Sequence, residues 1–189
     1  MHAFLVSLGV VAVSEIGDKT QLLALVLAAR FRKPLPIILG IIVATLFNHV
    51  LAGAFGGWIA DMAGPEIMRW VLGLLFMAMG IWALIPDKLD DDDKPRDATT
   101  AVEIFTVTTV AFFLAEIGDK TQIATAALAA RYATIVPVVL GTTLGMLAAD
   151  VPAVLFGRLA SERVRGAWVR YVAAALFIVL GLVTILALD

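Results

Sequence analysis

The chain contains no cysteine, which excludes disulfides, thiolate metal sites and cysteine catalysis together. Histidine is nearly absent as well, with two in 189 residues, so a zinc site built from imidazole and thiolate lacks its ligands. Charged residues make up 16% of the chain, the net charge of −2 says little, and no nucleic-acid partner is expected. What is abundant is apolar: 61% of the residues are hydrophobic and the mean hydropathy is +0.98.

Several of the apolar runs approach the ~20 residues that a helix needs to cross hydrocarbon. The expected fold is therefore all-α and polytopic, with six membrane spans over roughly residues 3–29, 35–60, 67–86, 102–130, 134–157 and 168–188. The run from Ala3 to Val13 has no basic segment before it and no cleavage-type break after it, so it is read as the start of the first span and not as a signal peptide. Outside the spans, Arg30, Arg32, Lys33, Lys88, Lys94, Arg96, Arg158, Arg163, Arg165 and Arg170 share one side, against Arg69 and Arg131 on the other. The richer side is expected to be cytoplasmic, with both termini periplasmic.

Two identical heptapeptides interrupt this apolar background. Glu15-Ile16-Gly17-Asp18-Lys19-Thr20-Gln21 recurs as Glu116-Ile117-Gly118-Asp119-Lys120-Thr121-Gln122, each near the middle of a predicted span. A charge at the bilayer centre costs ~2.5–3.5 kcal/mol or more, so six unpaired ones would oppose insertion by roughly 15–20 kcal/mol. An offset of 101 residues also aligns Leu27-Ala28-Ala29-Arg30 with Leu128-Ala129-Ala130-Arg131, Pro36 with Pro137, and Gly80 with Gly181, with no gap. Residues 1–86 and 102–189 are thus read as two three-helix repeats, joined by an acidic cytoplasmic linker over 87–101. Three spans is an odd number, so the second repeat enters from the opposite side, and such inverted repeats place their substrate site at the midplane between the halves.

The pseudo-symmetry would gather Glu15, Asp18, Glu116 and Asp119 around one point. In a continuous helix Glu15 and Asp18 share a face and Lys19 pairs with Glu15 four residues back; four carboxylates against two ammonium groups then leave two negative charges. Gly17 and Gly118 invite local unwinding that frees carbonyls, and Thr20, Gln21, Thr121 and Gln122 offer further oxygens. An all-oxygen set favours Mn²⁺, Ca²⁺ or Mg²⁺. Carboxylates in low dielectric also hold protons more tightly, so protons and metal would compete for the same atoms. The competing reading is a buried ion-pair network that fixes helix register.

Asn48, His49 and Asp150 are polar groups inside other spans, and the 101 offset sets His49 against Asp150. Two readings stand for them: proton coupling or an access path, with Lys19 and Lys120 as accessories, or hydrogen bonds to a neighbouring helix. Gly40-x-x-x-Ala44, Gly53-x-x-x-Gly57 and Gly141-x-x-x-Gly145 offer small faces for close helix packing, and Trp58, Trp70, Trp82 and Trp168 read as interface anchors.

The doubled E-x-G-D-K-T motif, in the first helix of each half, resembles the Gdt-type cation/proton exchangers, whose members include Golgi and chloroplast manganese/calcium transporters and bacterial manganese exporters. The resemblance implies a secondary antiporter that moves Mn²⁺ or Ca²⁺ against H⁺, carries no permanently bound cofactor and is no enzyme. It maps the family's carboxylates onto Glu15, Asp18, Glu116 and Asp119. The short chain without a targeting extension implies a bacterial inner-membrane protein in contact with lipid, working as a monomer or homodimer. An exporter of a small cationic metabolite such as lysine is the alternative; an intramembrane metal-dependent enzyme, which usually draws on His or Cys ligands, fits less well.

Overall fold

The computed structural model describes residues 1–86, 97–156 and 167–186, and among them every regular element is a helix. Proline, glycine and capping chemistry set the borders. Helices α1 (His2–Ser14) and α2 (Lys19–Phe31) are followed by α3 (Pro34–Ala63) and α4 (Pro65–Trp82), both with proline in the first turn, where its missing N–H costs nothing. Between the last two stands Gly64, at a left-handed φ of 75°. The second half repeats the order with α5 (Ala101–Glu116), α6 (Lys120–Tyr132), α7 (Ile135–Phe156) and α8 (Ala167–Leu186). A capping box opens α5: Glu103 N–H donates to Thr100 Oγ1, and the Glu103 carboxylate accepts from the Thr100 N–H.

Among the described residues four helices are long and apolar enough to cross a membrane, and a fifth span results if α5 and α6, bent by 69°, are taken together. The segments expected as spans over 3–29 and 102–130 are each broken at the motif, where the glycines invite unwinding, into α1 and α2 and into α5 and α6. The cause is local. Gly17 and Gly118 adopt φ of 82° and 74°, which ends one helix and swings the chain into the next. The acidic segment 87–96, with Lys88, Lys94 and Arg96, lies outside the described residues, as do Arg158, Arg163 and Arg165.

Packing partners exchange between the halves. Helix α1 lies on α7 and its counterpart α5 on α3; α2 meets α7 where α6 meets α3; α4 and α8 pair with each other. The interior combines two apolar clusters with many buried polar groups, and the exterior is apolar. Glu15, Asp18, Thr20, Thr45, Asn48, His49, Glu116, Asp119, Thr121 and Asp150 are all buried. Leu35, Leu39, Val43, Leu46, Phe47, Val50 and Phe55 of α3 face outward, as do Trp58, Trp70 and Trp168. A surface of that kind is matched by lipid, not water. The Arg30 guanidinium pairs with Asp97 and Lys33 Nζ donates to the Thr99 carbonyl, so the end of α2 and the entry to α5 share a face.

Small residues set how closely the helices approach. A Cβ added to Gly141 would stand 2.5 Å from the Phe4 carbonyl oxygen, and one on Gly145 2.7 Å from that of Leu8, so α7 rests on the backbone of α1. Gly40 fits against Thr108 of α5 in the same way. The tightest approach is at Gly56, whose added Cβ would lie 2.0 Å from the Ala126 carbonyl oxygen of α6, whereas at Gly57 the nearest atom is 3.5 Å away. Thermal unfolding of the detergent-solubilised protein should therefore show Gly56→Ala losing about 3 kcal/mol through overpacking, with Gly57→Ala changed by less than about 1 kcal/mol.

Candidate functional site

The two helix breaks face each other at the centre of the bundle. Glu15 is the C-terminal cap of α1, and Asp18, in extended conformation (φ −75°, ψ 168°), precedes the first turn of α2. Asp119 precedes α6 in the same conformation (φ −77°, ψ 163°). Neither aspartate caps its own helix through its side chain. Both carboxylates instead sit at positive helix N-termini and reach into the space between the halves. Oxygens of Glu15, Asp18 and Asp119 come within 4.8 Å of one another, and all three residues are buried.

The glutamines explain how the breaks hold their shape. Gly17 N–H donates to Gln21 Oε1 at 2.9 Å and Gly118 N–H to Gln122 Oε1 at 2.8 Å, which satisfies the backbone group that unwinding exposes. Gln21 Nε2 also donates to the Ala149 carbonyl at 3.1 Å, near Pro152 of α7. Both glutamine oxygens, expected as ligands, are thus engaged in supporting the loops. Thr20 Oγ1 donates to Glu15 Oε2 at 2.6 Å, and Thr121 Oγ1 to Asp119 Oδ2 at 3.3 Å.

The lysines are arranged differently from the sequence expectation. Lys19 does not pair with Glu15 along a helix, because the break at Gly17 removes the helical spacing between them. Each lysine reaches into the opposite half: Lys120 Nζ contacts Asp18 Oδ1, and Lys19 Nζ lies 4.0 Å from Asp119 Oδ1.

Glu116 stands apart from the three converging carboxylates. Thr45 Oγ1 donates to its Oε1 at 2.7 Å and Asn48 Nδ2 to its Oε2 at 3.1 Å, so α3 fixes it from both sides. Thr45 was not singled out from the sequence. Its counterpart at the 101 offset is Met146, whose Sδ lies 3.1 Å from the Thr45 hydroxyl; two positions related by the repeat touch there, at the junction of the halves. The counterpart of Asn48 is Ala149, which offers no side-chain donor. The two motifs are identical in sequence, yet their glutamates have different surroundings.

His49 Nδ1 is 3.2 Å from Thr143 Oγ1, so it makes the helix-to-helix bond that was one of its two readings, though not to a lysine. Asp150 is fully buried and neither of its carboxylate oxygens has a hydrogen-bond partner. It stands within electrostatic range of Glu15, Glu116 and Asp18. Five carboxylates thus interact in one buried region against two ammonium groups. A buried, uncompensated carboxylate is costly, and the chemistry that relieves it is a bound cation, protons, or both. The cavity beside Asp18 and Lys120, also lined by Ser14, Gly17, Pro86 and Arg170, measures about 60 Å³. It has room for a small ion or a few waters.

Comparison with known proteins gives the same direction. The family described as "Divalent cation/proton antiporter GDT1" matches residues 3–91 and 104–188. A Vibrio cholerae protein named "Putative manganese exporter" is 49% identical over 185 residues, covering 97% of this chain and 90% of that protein. A GDT1-like protein of Synechocystis is 29% identical over 97% of both chains, and GDT1-like protein 5 of Arabidopsis thaliana is 25% identical over 98% of this chain. No solved structure matches the chain significantly.

The loop-supporting role of the glutamines is open to a direct check. Gln122→Leu leaves the Gly118 N–H without an acceptor, a loss of about 1–3 kcal/mol. Hydrogen exchange of the detergent-solubilised protein should show the Gly118 amide losing protection by roughly ten- to a hundredfold in that variant.

Proposed function

The chain belongs to the GDT1 family of divalent cation/proton antiporters, a family of transporters and not of enzymes, and from this premise we propose that it exports Mn²⁺, or Ca²⁺ in its place, from the cytoplasm in exchange for H⁺. The observation that carries this reading is the convergence of Glu15 and Asp18 from one motif with Asp119 from the other, oxygens within 4.8 Å, in a bundle with an apolar exterior. Three buried carboxylates at that spacing suit a hard divalent cation bound through oxygen. Thr20 and Thr121 set the orientation of Glu15 and Asp119, and Gln21 and Gln122 hold the loops that carry them. Glu116, kept in place by Thr45 and Asn48, and Asp150, with no hydrogen-bond partner of its own, are the carboxylates that exchange protons as the cation comes and goes. His49 is an accessory on the same path.

The reading includes a topology. The six expected spans form two inverted three-helix repeats, with α1–α2 and α5–α6 as the broken first member of each. The exchange of packing partners between α1, α7, α5 and α3 supports it, as does the recurrence of helix borders at the 101 offset, from Lys19–Phe31 to Lys120–Tyr132. The protein then sits in a bacterial inner membrane with periplasmic termini and the 87–101 linker in the cytoplasm, the side on which Pro86 and Arg170 of the cavity wall would lie. The size of that cavity favours an inorganic cation over a metabolite such as lysine.

Transport in proteoliposomes tests the assignment. Mn²⁺ or Ca²⁺ added on one side should drive proton movement in the opposite direction. Glu15→Gln, Asp18→Asn, Glu116→Gln and Asp119→Asn should each bring it to the background of empty vesicles while the protein still inserts. Full activity in any two of the four would contradict a shared site.

A further inference from the structure

The crossed lysine pairs have a consequence beyond charge balance. Lys120 is almost fully buried, its side chain 7% exposed, and contacts Asp18 at the wall of the 60 Å³ cavity. Asp18 is also one of the three carboxylates whose oxygens converge. A divalent cation coordinated by Asp18 at ~2.3–2.6 Å would stand close to the ammonium that already contacts the same carboxylate. In a low-dielectric interior two positive charges at that range repel strongly. The cation and the ammonium therefore compete for Asp18. Asp18 and Lys120 both line the cavity, so a cation held there is within reach of both.

We infer that Lys120 is a tethered stand-in for the transported cation: its ammonium holds Asp18 while the site is empty, must leave for the cation to bind, and returns to displace it. The inference rests on the transport reading above and gives the lysine of each motif its role. Lys19 plays the same part toward Asp119 from the other half, with a looser grip, at 4.0 Å and with 24% of its side chain exposed. The difference between the pairs follows from their setting, since Lys120 is enclosed and Lys19 partly open. A built-in competitor weakens cation binding by a fixed factor, which a transporter needs in order to release its cargo.

A purely structural tie between the halves predicts the opposite sign. Removing one partner of a buried pair leaves an uncompensated charge and loosens the fold, so the cation would bind less well. A stand-in, once removed, no longer competes with the cation for the carboxylate. Mn²⁺ binding to the purified full-length protein in detergent, read from the electron paramagnetic resonance of free Mn²⁺, separates the two. Lys120→Gln should tighten binding at least tenfold, about 1.4 kcal/mol, while slowing Mn²⁺ release, and Lys120→Arg, which keeps the charge, should stay within about threefold of the parent. Lys19→Gln should shift affinity in the same direction by a smaller factor, and it decides the matter if Lys120→Gln does not fold. Unchanged or weaker binding in both Gln variants would overturn the inference while leaving the exchanger intact. Failure of the parent protein to bind either Mn²⁺ or Ca²⁺ would remove the proposed function along with it.

Discussion

Burying carboxylates inside a bundle that faces lipid is the constraint to which the rest of this molecule answers. Glu15, Asp18, Glu116, Asp119 and Asp150 are each no more than 4% exposed, in a setting where a lone charge costs several kcal/mol. Each distinctive feature meets part of that cost. The helix breaks turn two positive helix ends toward the aspartates. The lysines cross between the halves to face the opposite motif. Thr20, Thr45 and Asn48 donate hydrogen bonds to the glutamates. What these leave unmet, chiefly at Asp150 and at Glu15 Oε1, is the part a mobile cation or proton would supply.

The sequence was informative about the elements and poor at the contacts. Span positions agree with the helices to within a few residues for α3, α7 and the start of α8, because long apolar runs have few other ways to satisfy their backbone in a membrane. The glycines announced the interruptions, and the 101 offset announced that both halves would break alike. The direction of each side chain at the break was less accessible. The expectation that Lys19 would pair with Glu15 assumed a continuous helix, and once Gly17 turns to positive φ that spacing no longer applies. Thr45 looked like one more small residue on an apolar helix. Its bond to Glu116 depends on how α3 docks against α5, which neither periodicity nor composition encodes. The contact between Thr45 and Met146 was implicit in the offset, since residues related by a two-fold repeat meet only near its axis.

Identity of the motifs does not make the halves equivalent. Glu116 has two donors from α3, while Glu15 has a single donor from its own loop and the orphaned Asp150 within electrostatic range. One lysine pair is enclosed and the other partly exposed. The two motifs supply their carboxylates in pairs, whereas the positions Thr45/Met146, Asn48/Ala149 and His49/Asp150 carry different residues in the two halves. In an exchanger of a divalent cation for protons such a division is useful, because the groups that hold metal and those that hold protons need different surroundings. The close packing of α3 on α6 at Gly56 and of α7 on α1 at Gly141 and Gly145 sets the distance at which the two motifs face each other.

In the proposed reading both motifs build one site. Anomalous diffraction at the manganese edge, from crystals grown with Mn²⁺, locates the ion without reference to activity. A single peak within ~2.0–2.6 Å of carboxylate oxygens from Glu15 or Asp18 and also from Asp119 is the predicted result. Two separate peaks, one per motif, or a peak away from these residues, would contradict it.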